Sequence, residues 1–108
     1  MVIKCIAKRP DSKFYVTNVS NTLKNLQNFV GGYIEAVTFA IDTPENKFAI
    51  ICNEEGKLRN LPYNCTIFGE DFVGNILIVG VDGEEFAGLT DEQVKTLKPM
   101  LDNLRAMK

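Results

Sequence analysis

The pattern of apolar residues predicts an α+β fold, in which a small, mainly antiparallel sheet carries two helices packed on one face. Four segments show the alternation or the unbroken apolar run of a strand, and two segments repeat apolar residues at helical spacing. Grouping helices on one side of an antiparallel sheet is a common way to bury such elements. The 108 residues suffice for one core but not for two, so residues 1–108 are predicted to form a single domain.

The amino-terminal part is predicted to form a strand and then a helix. Residues 2–8 alternate between apolar positions and a polar face that includes Lys8. Residues 20–30 carry an apolar stripe at helical spacing, and Asn18 or Ser20 is expected to cap the start of that helix. Gly31-Gly32 is expected to end it, because glycine tolerates the left-handed conformation at a helix carboxyl terminus.

Three more strands follow. Residues 33–41 and 47–52 flank a segment of turn composition, so they are predicted to pair as an antiparallel hairpin. Residues 76–81 have no polar side chain on either face, which indicates a central strand covered on both sides.

The last element is predicted to be a helix. Thr90 and Gln93 have the spacing of a capping box, and an apolar stripe follows at Val94, Leu97, Leu101 and Leu104. Pro99 conflicts with a continuous helix, since an interior proline costs about 3 kcal/mol. We therefore expect a kink there, or one helix ending near Leu97 and a second beginning at Pro99.

Composition excludes several functional classes. The chain contains no histidine, which removes Ser-His and Cys-His nucleophile pairs, histidine bases and most zinc sites. The sequence therefore predicts a non-enzymatic protein without metal or cofactor. The net charge of −2 and the absence of a basic block give no electrostatic support for a nucleic-acid partner.

The same composition bears on location. The longest apolar run, residues 76–81, is too short to cross a bilayer, so no membrane partner is expected. The amino terminus lacks the order of a signal peptide, and the three cysteines have no disulfide spacing. A cytoplasmic location with reduced thiols is the expectation.

The polar segment 53–64 is the strongest candidate for a binding site. It offers Arg59, Asn60, Tyr63 and Asn64, which together could hold an anionic or heteroaromatic ligand through hydrogen bonds and stacking. A purely structural interpretation is equally open, in which the asparagines bond their own backbone and the tyrosine fills the core edge. Leu58, Leu61 and Tyr63 are expected to anchor the segment to the core, and Glu54-Glu55 to form a solvated turn.

Glu35 is the second candidate. Strand alternation puts it on the same face as Tyr33, Val37 and Phe39, a face that is apolar around it. If buried, its carboxylate would need a cation such as Arg59, or it would line a pocket. The alternative is that it lies near a strand end and reaches solvent, as most glutamates do.

Five stretches follow a known family pattern: Gly-Gly-Tyr-Ile-Glu at 31–35, Cys-Asn-Glu-Glu-Gly-Lys-Leu at 52–58, Leu-Pro-Tyr-Asn at 61–64, Gly-Asn-Ile-Leu-Ile-Val-Gly at 74–80 and Leu-Thr-Asp-Glu-Gln at 89–93. In this region the chain resembles a domain of unknown function found in bacteriophages, prophages, conjugative elements and Gram-positive bacteria. The resemblance implies an accessory protein of a mobile element, without any catalytic residue. It also implies that Glu35 and segment 53–64 belong to a shared surface.

Two functions compete. The first hypothesis is a non-enzymatic module that binds a small anionic or nucleotide-like ligand, with countering a host response as one purpose, through Glu35, Arg59, Asn60, Tyr63 and Asn64. The alternative is a module that binds or inhibits a host protein, with Met100 and Met107 supplying an adaptable contact face on the last helix. Self-association into a homo-oligomer is also expected, because a small sheet needs its open face and edges covered.

Overall fold

The computed structural model describes residues 1–106 of the chain, so Met107 lies outside the described residues. The described strands are β1 (Val2–Lys8), β2 (Tyr15–Ser20), β3 (Ile34–Ala40), β4 (Lys47–Asn53), β5 (Tyr63–Ile67), β6 (Glu70–Val73), β7 (Ile76–Asp82) and β8 (Glu85–Ala87). The described helices are α1 (Leu23–Val30) and α2 (Asp91–Ala106).

The main sheet is antiparallel at every pairing and confirms the predicted α+β class. Its strand order is β2-β1-β7-β4-β3, and β8 pairs with the second half of β7. The predicted central strand is β7, which pairs with β1 on one side and with β4 on the other. The predicted hairpin is also confirmed, with β3 and β4 in register from Ile34 opposite Asn53 to Ala40 opposite Lys47.

The two helices pack on opposite faces of this sheet, which corrects the expectation that they share one face. Leu26 and Val30 of α1 belong to a core with Ile51 and Leu77, whereas Leu97 and Leu101 of α2 belong to a core that contains the alternate strand residues Ile50 and Ile78. The physical reason lies in β4 and β7, whose consecutive apolar residues present hydrophobic side chains on both faces. Each face therefore needs its own cover.

A second small sheet completes the cover on the α2 side. Strands β5 and β6 form a separate antiparallel hairpin, and Cys65, Ile67 and Phe72 are buried in the same core as Leu97. This hairpin is not predicted by the sequence pattern. Its turn is formed by Phe68 and Gly69, both at positive φ (51° and 81°), and a phenylalanine is an unusual residue there.

Helix α1 begins later than predicted because residues 15–20 pair with β1 as strand β2. Its N-cap is Thr22 rather than Asn18 or Ser20, and the Thr22 hydroxyl accepts a hydrogen bond from the backbone N–H of Asn25 at 3.2 Å. Gly31 ends the helix in the left-handed conformation, with φ of 82°, as predicted.

Helix α2 starts with the predicted capping box. The backbone N–H of Thr90 donates to Oε1 of Gln93 at 2.9 Å, and the backbone N–H of Gln93 donates to the Thr90 hydroxyl at 3.1 Å. The helix does not split at Pro99 but runs through it. Burial of Leu97 and Leu101, on either side of the proline, stabilises the continuous helix. No helix within residues 1–106 is both long and apolar enough to cross a membrane.

Candidate functional site

The carboxyl end of α1 is capped by three side chains, two from segment 53–64 and one from Asn75. Arg59 Nη1 donates to the Gly31 carbonyl at 3.1 Å, Asn53 Nδ2 to the Val30 carbonyl at 3.1 Å, and Asn75 Nδ2 to the Phe29 carbonyl at 3.0 Å. The last carbonyls of a helix have no partner within it, so these donors satisfy groups that would otherwise need water. Much of the polar character of segment 53–64 serves this cap.

Residues 54–60 form a compact turn, as their composition predicts. The backbone N–H of Arg59 donates to the Glu55 carbonyl at 2.9 Å, and that of Glu55 to Oδ1 of Asn53 at 2.8 Å. Asn60 is exposed and takes a left-handed conformation with φ of 56°, which asparagine tolerates better than most residues. The left-handed conformation required at the end of this turn therefore explains the asparagine at position 60.

The anchoring of this segment differs from the expectation in two of three residues. Leu58 is 86% exposed and Tyr63 is 47% exposed, so neither is pinned in the core. Leu61 is partly buried and packs next to Gly74, where an added Cβ would lie 2.9 Å from the leucine side chain. The leucine fits because residue 74 has no side chain.

Asn64 is buried, and its side-chain amide is hydrogen-bonded within the protein. Its Nδ2 donates to the carbonyls of Lys8 at 2.9 Å and Gly74 at 2.7 Å, and its Oδ1 accepts from Lys8 Nζ at 2.8 Å. Lys8 is only 1% exposed, although alternation puts it on the polar face of β1. Asn64 therefore joins β5 to β1 and is not presented to solvent.

Tyr63 belongs to a polar chain on the exposed face of the β5–β6 hairpin. The Thr66 hydroxyl donates to Asp71 Oδ1 at 2.6 Å, so it accepts from the Tyr63 hydroxyl, also at 2.6 Å. Thr66 and Asp71 are opposite each other in the register of the hairpin. The chain therefore links the two strands.

Glu35 is exposed and lines a cavity of about 220 Å³ between the main sheet and the β5–β6 hairpin. It does not bond Arg59, whose guanidinium is engaged at the end of α1. The charged side chains around this cavity are Glu35, Glu54, Lys57, Glu70 and Asp71. With four carboxylates and one ammonium, this cavity repels anions.

The five predicted residues are therefore not brought together. Glu35 lies at the acidic cavity, Arg59 at the end of α1, Asn60 in an exposed turn, Tyr63 on the outer hairpin, and Asn64 in the interior. Arg59 alone of the five lies beside the surface described next.

A cavity of about 460 Å³ lies beside α1. Its polar lining residues are Arg9, Ser20, Asn25, Asn28 and Asn75, and its apolar ones are Val19 and Phe29. The Arg9 guanidinium carbon lies 5.1 Å from the centre of the Phe29 ring, within cation–π range. The lining thus combines one cation with four hydrogen-bonding side chains and contains no carboxylate.

Two further cavities adjoin this one through shared residues. Asn75 also lines a mainly apolar cavity of about 420 Å³, whose one charged residue is Asp11. Asn28 also lines a cavity of about 340 Å³ that includes Glu55, Arg59 and the 67% exposed Tyr33. We call these three adjoining cavities the α1 surface.

Arg9, Asn25, Asn28 and Asn75 were missed by sequence reasoning. One signal was available, because Asn25 and Asn28 are three residues apart in the helix and so share one polar face. The approach of Arg9 and Asn75 depends on strand pairing between distant segments, which no local pattern carries.

The Cys5 and Cys52 thiols are poor nucleophiles. All three cysteines are buried. Burial raises the pKa of the Cys5 thiol to about 11. Burial, followed by the charges of Glu35 and Glu70, raises the pKa of the Cys52 thiol to about 11 against an opposing effect of Lys57. Among residues 1–106 no three His, Cys, Asp or Glu side chains are grouped so as to hold a metal ion.

The profile of one protein family, described as a domain of unknown function (DUF3846), matches residues 3–102. No curated protein and no solved structure matches the chain.

Proposed function

The chain belongs to the DUF3846 family of domains of unknown function, and from that premise we propose that it is a non-enzymatic binding module for a small anionic or nucleotide-like ligand. The proposed site is the α1 surface. We also propose that the protein is encoded by a bacteriophage, prophage or conjugative element and counters a host response. This second part of the proposal is supported by the sequence resemblance alone.

The observation that carries the proposal is Arg9 stacked on Phe29 at the wall of the cavity beside α1. A volume of about 460 Å³ falls in the range of small-molecule sites. The aromatic ring restrains the guanidinium, so less side-chain entropy is lost when an anion binds. Arginine can then bind a phosphate or carboxylate through two parallel N–H donors.

The amides around Arg9 suit a ligand that carries a heteroaromatic group as well as a charge. The amide of Asn75 is oriented by its donation to the Phe29 carbonyl, which leaves Oδ1 to accept from a ligand N–H. The adjoining cavity at Pro10, Leu61 and Pro62 is mainly apolar and could receive a planar ring. A nucleotide combines an anion, N–H donors and a planar ring in one molecule.

The cavity lined by Arg9 is also a better setting for an anion than the acidic cavity at Glu35, because its lining contains one cation and no carboxylate. The carboxyl end of a helix carries partial negative charge. At α1 that charge is offset by the three capping donors, one of which is the Arg59 guanidinium.

Calorimetric titration against nucleoside mono-, di- and triphosphates, cyclic dinucleotides and inorganic phosphate tests this proposal. We expect micromolar or tighter binding of at least one nucleotide. Arg9→Gln is expected to weaken it by about ten-fold or more, because a charge-assisted hydrogen bond contributes about 1.5–3 kcal/mol. Lys13→Gln, which removes an exposed charge on the same β1–β2 connection, is the matched control. No binding across the panel, or equal effects of the two variants, would contradict the proposal.

The alternative, a module that binds a host protein, has less support from the geometry. The leucine stripe of α2 is used inside the protein, with Leu97 at 0% and Leu101 at 1% exposure. Met100 is partly buried and packs against the same core. An interaction through α2 would therefore have to use its polar face.

A further inference from the structure

The outer edge of β3 is an unpaired strand edge in the described part of the chain. Strand β3 is the last strand of the main sheet and pairs only with β4. It is seven residues long, its register is continuous, and it contains no lysine, proline or bulge. Natural sheets use such devices to keep their edges from pairing with other chains, and β3 lacks these three.

The hydrogen-bond register identifies which peptide groups of β3 face outward. The backbone N–H of Glu54 donates to the Tyr33 carbonyl at 2.8 Å, in continuation of the β3–β4 ladder. In an antiparallel pair the residues bonded to the partner alternate with residues whose peptide groups face away. Residues 35, 37 and 39 therefore bond β4, and Ile34, Ala36, Thr38 and Ala40 present their N–H and C=O groups at the edge.

The side chains along this edge leave room for a neighbouring strand. Ala36, Thr38 and Ala40 are small and exposed on the α1 side. On the other face Val37 and Phe39 are partly buried, and Phe68, 55% exposed, lies edge-on to Phe39 with ring centres 5.3 Å apart. A strand added at β3 would extend this apolar strip as well as satisfy the peptide groups.

We propose that β3 pairs antiparallel with β3 of a second copy of this chain, about a two-fold axis at Val37. This register pairs all four outward-facing residues, Ala36 with Thr38 of the partner and Ile34 with Ala40 of the partner, and leaves no overhang. The single charged residue of β3, Glu35, then lies opposite Phe39 of the partner rather than opposite a second glutamate. The strand is thus self-complementary, which favours a second copy over an unrelated strand.

Light scattering after size-exclusion chromatography tests the oligomer and its edge. The full chain is expected to have twice its mass of 12.1 kDa at concentrations near 0.1 mM. Thr38→Pro removes an outward N–H that has no partner among the described residues, so it should give a monomer that circular dichroism shows to be folded. Asn18→Pro is the matched control on the opposite edge, since Asn18 of β2 is also an outward-facing position, and it should remain dimeric. Thr38→Lys is the second variant if the proline prevents folding.

Cross-linking tests the register. Val37 faces itself across the proposed axis in a non-hydrogen-bonded pair, where Cα atoms are about 4.5 Å apart, so Val37→Cys should form an interchain disulfide on mild oxidation. Glu35→Cys, shifted by two residues, should cross-link at least ten times more slowly. It is made together with Cys52→Ser, because Cys52 lies directly opposite Glu35 in the β3–β4 register and would otherwise compete for the new thiol. The native cysteines are buried and provide the background rate. A monomeric wild-type chain, a dimer that survives Thr38→Pro and Thr38→Lys, or equal cross-linking at both positions would overturn the proposal.

Discussion

At the scale of single residues, Lys8 illustrates how a charged side chain is accommodated in the protein interior. Its Nζ donates to Oδ1 of Asn64 at 2.8 Å and to the carbonyls of Asn64 and Arg9 at 3.3 Å each, and it lies 5.9 Å from the centre of the Phe14 ring. Moving an ammonium group out of water costs several kcal/mol unless such contacts replace its hydration. The Lys8–Asn64 contact therefore ties the β5–β6 hairpin to the main sheet.

Removing either partner of this contact should destabilise the protein. Lys8→Met leaves the buried Oδ1 of Asn64 without its donor, so we expect a loss of about 2 kcal/mol in the free energy of unfolding. Asn64→Ala loses three buried hydrogen bonds and should cost about 3 kcal/mol. Urea denaturation measures both, and the double variant should lose less than the sum, since the residues share one contact.

The exposed Lys13 provides the control for this prediction. Lys13→Met should change stability by less than about 0.5 kcal/mol, as exposed substitutions usually do. If Lys8→Met behaved like the control, or if the two losses simply added, the Lys8–Asn64 contact would not have the role described.

Lys8 also shows where residue-level prediction ends. Alternation assigned it correctly to the face of β1 opposite Cys5 and Ala7, but that face was taken as polar and open. A strand pattern gives the direction of a side chain, whereas its burial depends on what covers that face. Here the cover is β5, which no local pattern predicted.

At the scale of elements, α1 depends on contacts beyond itself. Its eight residues are too few for a helix that is stable alone in water. Packing of Leu26 and Val30 supplies part of its stability, and the caps at both ends supply more. The side chains of Asn53 and Asn75 are central to the carboxyl-terminal cap.

We expect both cap asparagines to stabilise the protein, Asn53 more than Asn75. Asn75→Ala loses one hydrogen bond at a partly buried position and should cost about 1 kcal/mol. Asn53 is buried, and Asn53→Ala loses the hydrogen bonds to both Val30 and Glu55, so we expect a loss of about 2 kcal/mol in the free energy of unfolding. Thermal unfolding compared with the exposed Asn18→Ala measures these losses. Equal stability of all three variants would contradict the cap.

The elements that sequence predicts well are those whose signal is local. Strands β1, β3, β4 and β7, the Gly31 terminus and the Thr90 capping box follow from alternation, apolar runs and capping chemistry. Strands β5, β6 and β8 are short, and β5 contains a register shift between Tyr63 and Cys65. Such strands are defined by pairing rather than by composition, so their prediction requires the tertiary structure.

The candidate site was predicted less completely than the fold, for the same reason. Segment 53–64 was recognised from its polar density, but that density has several sources. Arg59 caps a helix, Asn60 forms a turn, and Asn64 is buried. A composition pattern does not distinguish side chains used by the protein from those available to a ligand.

At the scale of the whole molecule, two cores lie on the two faces of one sheet, and α2 is attached across one of them. Besides its leucines, α2 is held at its start by an ion pair between Asp91 and Lys4 of β1. A hydrogen bond from Lys4, followed by the charge of Lys4, lowers the pKa of the Asp91 carboxyl. Asp91 also lies in the first turn of α2, where negative charge is favourable.

This ion pair should make stability depend on acid pH. Because the folded pKa of Asp91 is depressed, its contribution is complete above the unfolded value near pH 4 and is lost as pH falls through the folded pKa. In urea denaturation the stability difference between wild type and Asp91→Asn should be constant from pH 7 to about pH 4.5 and should shrink below about pH 4. Glu92→Gln, which removes the neighbouring carboxylate, is the control, and a difference unaffected by pH would contradict the assignment.

The strand order has a consequence for the time course of folding. The β1–β2 and β3–β4 hairpins each form from neighbouring segments, yet they share no edge, and within the sheet they are joined by β7. A nascent chain that has not yet reached residue 76 therefore lacks the strand that joins the two hairpins into one sheet. Ile6 finds Ile78 only after more than seventy intervening residues have been made, so closure of the sheet is a late, non-local and comparatively slow event.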